Sequence, residues 1–118
     1  MTLSIIDLKA YVPAKNFEES KRFYQALGFN MSERWGGTAD FELNGSRFRL
    51  QNYYNKDWAE NFMFVMGVAD IEAWHLRAKE VVGSGNYSNA RFAPPEQVSG
   101  AQVLHIWDPC GVLLIFVQ

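Results

Sequence analysis

The chain states one structural plan twice. Leu3 to Val12 is an apolar, β-branched run that reads as a strand, and beyond Pro13 comes Asn16-Phe-Glu-Glu19. An Asn side chain there accepts hydrogen bonds from the free amides of a helix's first turn, with Glu19 placed as the reciprocal partner of a capping box. Phe17, Ser20, Tyr24 and Leu27 recur at three- and four-residue spacing, which gives the helix one buried stripe, and Gly28 supplies the left-handed terminator. Phe62 to Val68 is a second apolar strand, Asp70 a second N-cap, and Ile71, Trp74, Ala78 and Val81 a second stripe, with Gly83 just after. The offset is 54 positions throughout, from Asn16 to Asp70 and from Leu27 to Val81. Each helix is followed by a Gly- and Asn-containing stretch and then by strands ending in a tight hairpin, at Asn44-Gly45 and at Asp108 to Gly111. This repetition predicts an α+β fold of two tandem β-α-β-β-β modules, about 3–54 and 60–118. The connector Asn55-Lys-Asp-Trp-Ala59 is too short and too aromatic for a flexible linker.

The first hairpin is readable residue by residue. Asn-Gly favours a two-residue type I′ turn, so Leu43 faces Ser46, Glu42 faces Arg47, Phe41 faces Phe48 and Asp40 faces Arg49. Strand alternation then puts Phe41, Leu43, Phe48 and Leu50 on one face, packed on the helix, and Asp40, Glu42, Arg47, Arg49 and Gln51 on the other. A polar face of this kind is either plain solvent exposure or the wall of a concave site.

At 118 residues the chain fits one domain spanning 1–118. A net charge of −2 argues against nucleic acid as a partner, since phosphate binding leaves a basic surplus. The single cysteine, Cys110, excludes an intramolecular disulfide and a multi-cysteine zinc site, and fits a reducing compartment. The N-terminus lacks the basic segment of a signal peptide, and no apolar run approaches the roughly 20 residues that span a bilayer. The expectation is a soluble, cytoplasmic protein with no membrane partner. Aromatic residues make up 15% of the chain, enough to fill a small mixed core or to line a ligand surface as well.

Catalytic groups are sparse. His75 falls mid-helix beside the buried stripe and reads as a partly exposed helix residue. His105, on a strand next to Trp107, reads as a hydrogen-bonded strand histidine. No HxH, HxxxE or CxxC spacing occurs. Cys110 sits in a turn without a His and an acid near it in sequence, which gives nucleophilic catalysis no support.

The order of Val12-Pro-Ala-Lys-Asn-Phe-Glu-Glu-Ser20, Phe23-Tyr24 with Leu27-Gly28-Phe29, Val68-Ala-Asp-Ile71, Pro94-Pro95-x-Gln97 and Asp108-Pro-Cys-Gly111 resembles the vicinal-oxygen-chelate superfamily. That superfamily holds glyoxalases, ring-cleaving dioxygenases, and fosfomycin- and bleomycin-resistance proteins. The resemblance implies that the curled mixed sheets form a concave cup, and that the metalloenzymes' ligand positions correspond to Lys9, Arg49, Met63 and Ile115. A divalent metal needs oxygen, imidazole or thiolate donors. Cationic Lys and Arg, neutral Met and hydrocarbon Ile offer none, so neither a metal nor another cofactor is expected.

Within the superfamily the chain is most similar to the metal-free bleomycin-resistance proteins. The likeness lies in its short length, Leu27-Gly28-Phe29, Trp35, the Gly45 to Tyr54 hairpin with its trailing aromatics, and the Pro-rich loop before the last hairpin. This implies a non-catalytic protein that sequesters an aromatic or antibiotic-like small molecule in a groove at a homodimer interface. Trp35, Tyr53, Tyr54, Trp58 and Trp107 are the candidate stacking walls, and Asp40, Glu42, Arg47, Arg49 and Gln51 the candidate orienting groups. Arg47 and Arg49 add positive charge that Glu42 and Asp40 opposite would neutralise. Two alternatives stand beside this reading: a diverged metal-dependent lyase, isomerase or dioxygenase, and a closed cup with an oligomeric or regulatory role.

Overall fold

In the computed structural model, which describes residues 1–118, each module folds around one capped helix. The first comprises strand β1 (Tyr11–Pro13), helix α1 (Phe17–Leu27) and strands β2 (Asn30–Arg34), β3 (Thr38–Leu43) and β4 (Ser46–Gln51). A short helix α2 (Lys56–Asn61) leads to the second: β5 (Met63–Gly67), α3 (Ile71–Gly83), β6 (Arg91–Val98), β7 (Ala101–Trp107) and β8 (Leu113–Val117). The strands form two open mixed sheets, in the orders β1-β4-β3-β2 and β5-β8-β7-β6. The first strand of each module runs parallel to its last, and the rest are antiparallel.

The N-caps form as the sequence predicts, except that the Glu19 carboxylate makes no return bond to the Asn16 amide. Asn16 Oδ1 accepts from the Glu19 amide at 3.1 Å and Asp70 Oδ1 from the Ala73 amide at 3.2 Å. Gly28, at φ 122°, ends α1 in a Schellman arrangement: its own amide donates to Gln25 and the Phe29 amide reaches back to Tyr24. Helix α3 ends differently. Gly83 is its last residue, and the left-handed position falls on Gly85 at φ 76°. The connector forms a further helix, because Asn55 Oδ1 captures the Trp58 amide at 3.1 Å.

Asn44 and Gly45 both take positive φ, 52° and 85°, and the β3–β4 register has the pairs expected of a type I′ turn. Phe41, Phe48 and Leu50 are buried against α1, with Tyr24 at 5.6 Å from Phe41 and 4.9 Å from Phe48. Leu43 is only partly buried. The aromatic packing crosses between modules through Phe48–Phe64 and Phe29–Trp74, so much of the aromatic content fills the core. Burial of each such ring contributes about 2–3 kcal/mol.

Two elements differ from expectation. The strand read over Leu3 to Val12 is paired only from Tyr11, and Leu3, Ile5, Ile6 and Leu8 are 80–99% exposed. The parallel register explains this: Tyr11 lies opposite Arg49, so counting back brings Leu8 level with Ser46, where β4 begins. Earlier residues run past the end of their neighbour. The Pro-rich loop is instead part of edge strand β6, where the register slips between Ala93 and Glu96. Pro94 and Pro95 have no N–H to donate, and an edge strand with a bulge accommodates them.

One buried polar contact joins the modules. The Tyr24 hydroxyl donates to Asp108 Oδ2 at 2.6 Å, while Asp108 Oδ1 accepts the Cys110 and Val112 amides at 2.9 and 3.0 Å. Burial pushes the Asp108 carboxyl upward in pKa and these donors pull it back; burial beside the acid drives the Tyr24 phenol well above its ordinary value. Replacing Tyr24 with Phe removes a donor and leaves a buried carboxylate oxygen unsatisfied. Tyr24→Phe is expected to destabilise the fold by about 1–3 kcal/mol, measured by urea denaturation. A neutral effect would mean that the contact does not tie the modules together.

Candidate functional site

Each sheet buries one face beneath its helix and leaves the other open. In the first sheet the open face carries a row across all four strands: Tyr11, Arg49, Asp40 and Ser32 are mutual neighbours. Asp40 is the hub. Its Oδ1 accepts Arg49 Nε at 2.6 Å, its Oδ2 accepts Arg34 Nε at 2.9 Å and Arg49 Nη2 at 3.0 Å, and Lys9 Nζ stands 3.8 Å away. The Arg49 guanidinium also lies 5.8 Å from the centre of the Tyr11 ring. Arg47 reaches Asp7 at 3.6 Å, and Asp7 also bonds Lys9. Glu42 is opposite Arg47 in register, yet its carboxylate accepts the Gly45 amide at 2.8 Å and holds the turn, so Asp7 rather than Glu42 neutralises Arg47. Over this network lies a hollow of about 480 Å³.

The equivalent row of the second sheet is Val65, Ile115, His105 and Ala93. It is mostly apolar, with Val65 73% exposed. His105 stacks on Trp107, ring centres 5.9 Å apart, and makes no side-chain hydrogen bond, contrary to the sequence reading. His75 keeps its expected place on α3, edge-on to Phe92 at 5.7 Å. Near the β7–β8 turn a groove of about 400 Å³ brings Tyr54 and Trp107 together with Lys15, Glu60, Asn89 and Arg91.

The ten residues singled out in the sequence therefore separate. Asp40, Glu42, Arg47 and Arg49 gather on the first sheet, with Gln51 at the end of β4 beside Pro13. Tyr54 and Trp107 share the groove, and Tyr53 pairs with Trp58 at 6.1 Å. Trp35 stands alone in the β2–β3 turn, 91% exposed. Lys15, Arg34, Asn89 and Arg91 escaped the sequence reading.

The residues at the metalloenzyme positions do not fit a divalent metal. Arg49 is opposite Tyr11 and Ile115 opposite Val65, each two residues beyond Lys9 and Met63. Neither choice of first-strand residue completes a donor set. The best oxygen ligand nearby, Asp40, is already committed to two guanidinium groups, and no group of three His, Cys, Asp or Glu side chains is placed to hold an ion. Burial next to Asp108 pushes the Cys110 thiol up to about 12, away from the reactive thiolate form, and Sγ donates to the Pro13 carbonyl at 3.4 Å.

The guanidinium groups hold the Asp40 carboxyl at about 2, below its ordinary 3.8. A carboxylate with a folded pKa below its unfolded one stabilises the fold above about pH 4, and that contribution is lost as the pH falls toward 2. Asp40→Asn is expected to cost on the order of 1–2 kcal/mol at neutral pH, with the difference from the parent shrinking from pH 4 to pH 2. Denaturant titrations of both proteins across that range check it; a difference independent of pH would show that the charge of Asp40 is not what matters.

With the geometry in place, comparison with known proteins identifies the lineage. Among the solved structures that share the fold are three ligand-related examples. A bleomycin resistance determinant encoded on the transposon Tn5 is 22% identical, with a TM-score of 0.77 and coverage of 97% of this chain and 98% of that one. A bleomycin-binding protein complexed with bleomycin is also 22% identical, at a TM-score of 0.78 and the same coverage. TnmS3, an antibiotic-binding protein from Streptomyces sp. CB03234, is 17% identical at a TM-score of 0.73, covering 98% of this chain and 96% of that one. No curated protein sequence matches the chain. The family model for the glyoxalase/bleomycin resistance protein/dioxygenase superfamily matches residues 8–116, and the chain belongs to that superfamily.

Proposed function

We propose that the chain is a non-catalytic small-molecule-binding protein that sequesters an aromatic, antibiotic-like ligand in a groove at a homodimer interface. The observation that carries this reading is the contrast between two open faces. One is a polar surface of ion-paired charges; the other is mostly apolar and bordered by the His105–Trp107 stack. Brought together from two copies, they would give a ligand an oriented polar wall and a stacking wall. The structural neighbours that bind bleomycin and other antibiotics support a binding role. No residue set for nucleophilic or metal-assisted turnover accompanies these faces.

The exposed apolar surface supports the dimer. Leu3, Ile5, Ile6 and Leu8 are exposed ahead of β1, and Met63 and Val65 lie on an edge strand whose outer side has no partner within the chain. An unpaired, apolar edge is a site for association. The two modules then work as one domain whose cup a second copy completes. No helix is long and apolar enough to cross a membrane, and the lone thiol is unpaired, which suits a cytoplasmic location.

Titration with bleomycin and a panel of planar antibiotics, followed by tryptophan fluorescence, is expected to give saturable quenching and a raised Tm. Ligand at a hundred times its Kd adds about 2.7 kcal/mol of stability. The ligand should be recovered chemically unchanged, and light scattering should report two chains per particle. Removing residues 1–8 is expected to shift the particle toward one chain. Absence of quenching and Tm shift across the panel, or conversion of a ligand, would overturn the reading.

A further inference from the structure

We propose that the groove beside the β7–β8 turn binds a planar aromatic anion, its ring against Trp107 or Tyr54 and its carboxylate or sulfonate held by Lys15 and Arg91. The proposal rests on the small-molecule reading above and gives the ligand a charge.

Four cations in the chain stand over aromatic rings. Two of them are consumed by acids: Lys21 bonds Glu18 and Glu33, and Arg49 bonds Asp40. The other two are Lys15, 5.4 Å from the centre of the Tyr54 ring, and Arg91, 3.9 Å from that of Trp107. Neither forms an ion pair with a carboxylate, and both line the same groove of about 400 Å³. One acid, Glu60, is present there, so the groove carries two positive charges against one negative. The hollow over the first sheet differs in that each of its cations has an acid partner: Lys9, Arg34, Arg47 and Arg49 all stand within ion-pair distance of Asp7 or Asp40.

This arrangement selects charge. A cationic ligand entering this groove would be repelled by the two cations already seated beside its rings. An anion meets the guanidinium of Arg91, whose planar fork matches a carboxylate or sulfonate, and the ammonium of Lys15. The turn's own backbone offers no substitute, because the Cys110 and Gly111 amides are taken by Asp108. Asn89 is the remaining polar side chain of the lining, suited to a neutral ring substituent.

Isothermal titration of the full chain with three probes of matched shape tests this: naphthoate, naphthamide and naphthylmethylammonium. Naphthoate is expected to bind about tenfold more tightly than the amide, with the ammonium weakest, the scale set by a charge-assisted hydrogen bond. Arg91→Gln and Lys15→Gln should each weaken naphthoate about tenfold while leaving the amide unchanged. Arg91→Glu should bring the ammonium above naphthoate. All three substitutions are at exposed positions, and an unchanged Tm confirms that each variant is folded. The proposal is overturned if the amide or the ammonium matches naphthoate, or if naphthoate affinity survives both Gln substitutions. If naphthoate fails while an antibiotic of the wider panel binds, this proposal alone falls; if no probe and no panel compound binds, the binding reading falls with it.

Discussion

The Tyr24–Asp108 hydrogen bond is the contact on which the arrangement of the two modules depends. Apolar packing between them, through Phe48–Phe64 and Phe29–Trp74, supplies attraction without fixing direction. A buried hydroxyl donating to a buried carboxylate does fix it, because any displacement strands an acceptor that water cannot reach. Asp108 also folds the β7–β8 turn by accepting two of its amides, so one side chain sets both the seat of the second module against α1 and the shape of the turn. Trp107 and Cys110 flank it and line the groove. The wall of the groove is thus built on the same residue that joins the modules.

Two modules with one plan have diverged in the chemistry of their open faces. The matching rows, Tyr11-Arg49-Asp40-Ser32 and Val65-Ile115-His105-Ala93, occupy equivalent places in sheets of the same topology. The fold demands only that the helix-facing positions be apolar. The opposite positions are free to vary, and here one row became a charge network and the other a nearly hydrocarbon surface. Fold and function separate at the strand pleat, where alternate residues answer to different constraints.

Legibility in the sequence followed the range of the interactions involved. Caps, the Schellman terminator and the Asn44-Gly45 register depend on contacts within a few residues, and the side chains responsible are chemically distinctive. The fate of Leu3 to Leu8 was not legible, because an apolar run signals that burial is favourable without saying whether its own chain supplies the cover. Helix α2 was hidden in a stretch too short for periodicity, marked only by Asn55. Arg91 was hidden for a different reason. Ser99 and Gly100, at φ 49° and 84°, form another tight turn, and counting outward from Val98 opposite Ala101 would place Arg91 opposite Asp108. The bulge at Pro94-Pro95 moves the register by one and delivers Arg91 to Trp107 instead. A slip of one residue reverses the face of every side chain beyond it, so the groove's main cation was invisible to counting.

The charge network also bears on what kind of chemistry this surface can support. In a metal centre a divalent ion is drawn by carboxylates and then polarises a bound oxygen through a vacant coordination position. In this chain Asp40 is neutralised by guanidinium groups instead, and Arg49, charged at any ordinary pH, is held in place by the same carboxylate. A guanidinium brings fixed positive charge and up to five N–H donors, but no vacant position to accept an electron pair and no proton to give up near neutral pH. It can orient an oxygen and cannot activate one. The charged groups of this face are thus of a kind that orients an oxygen, not of a kind that polarises one through a vacant coordination position.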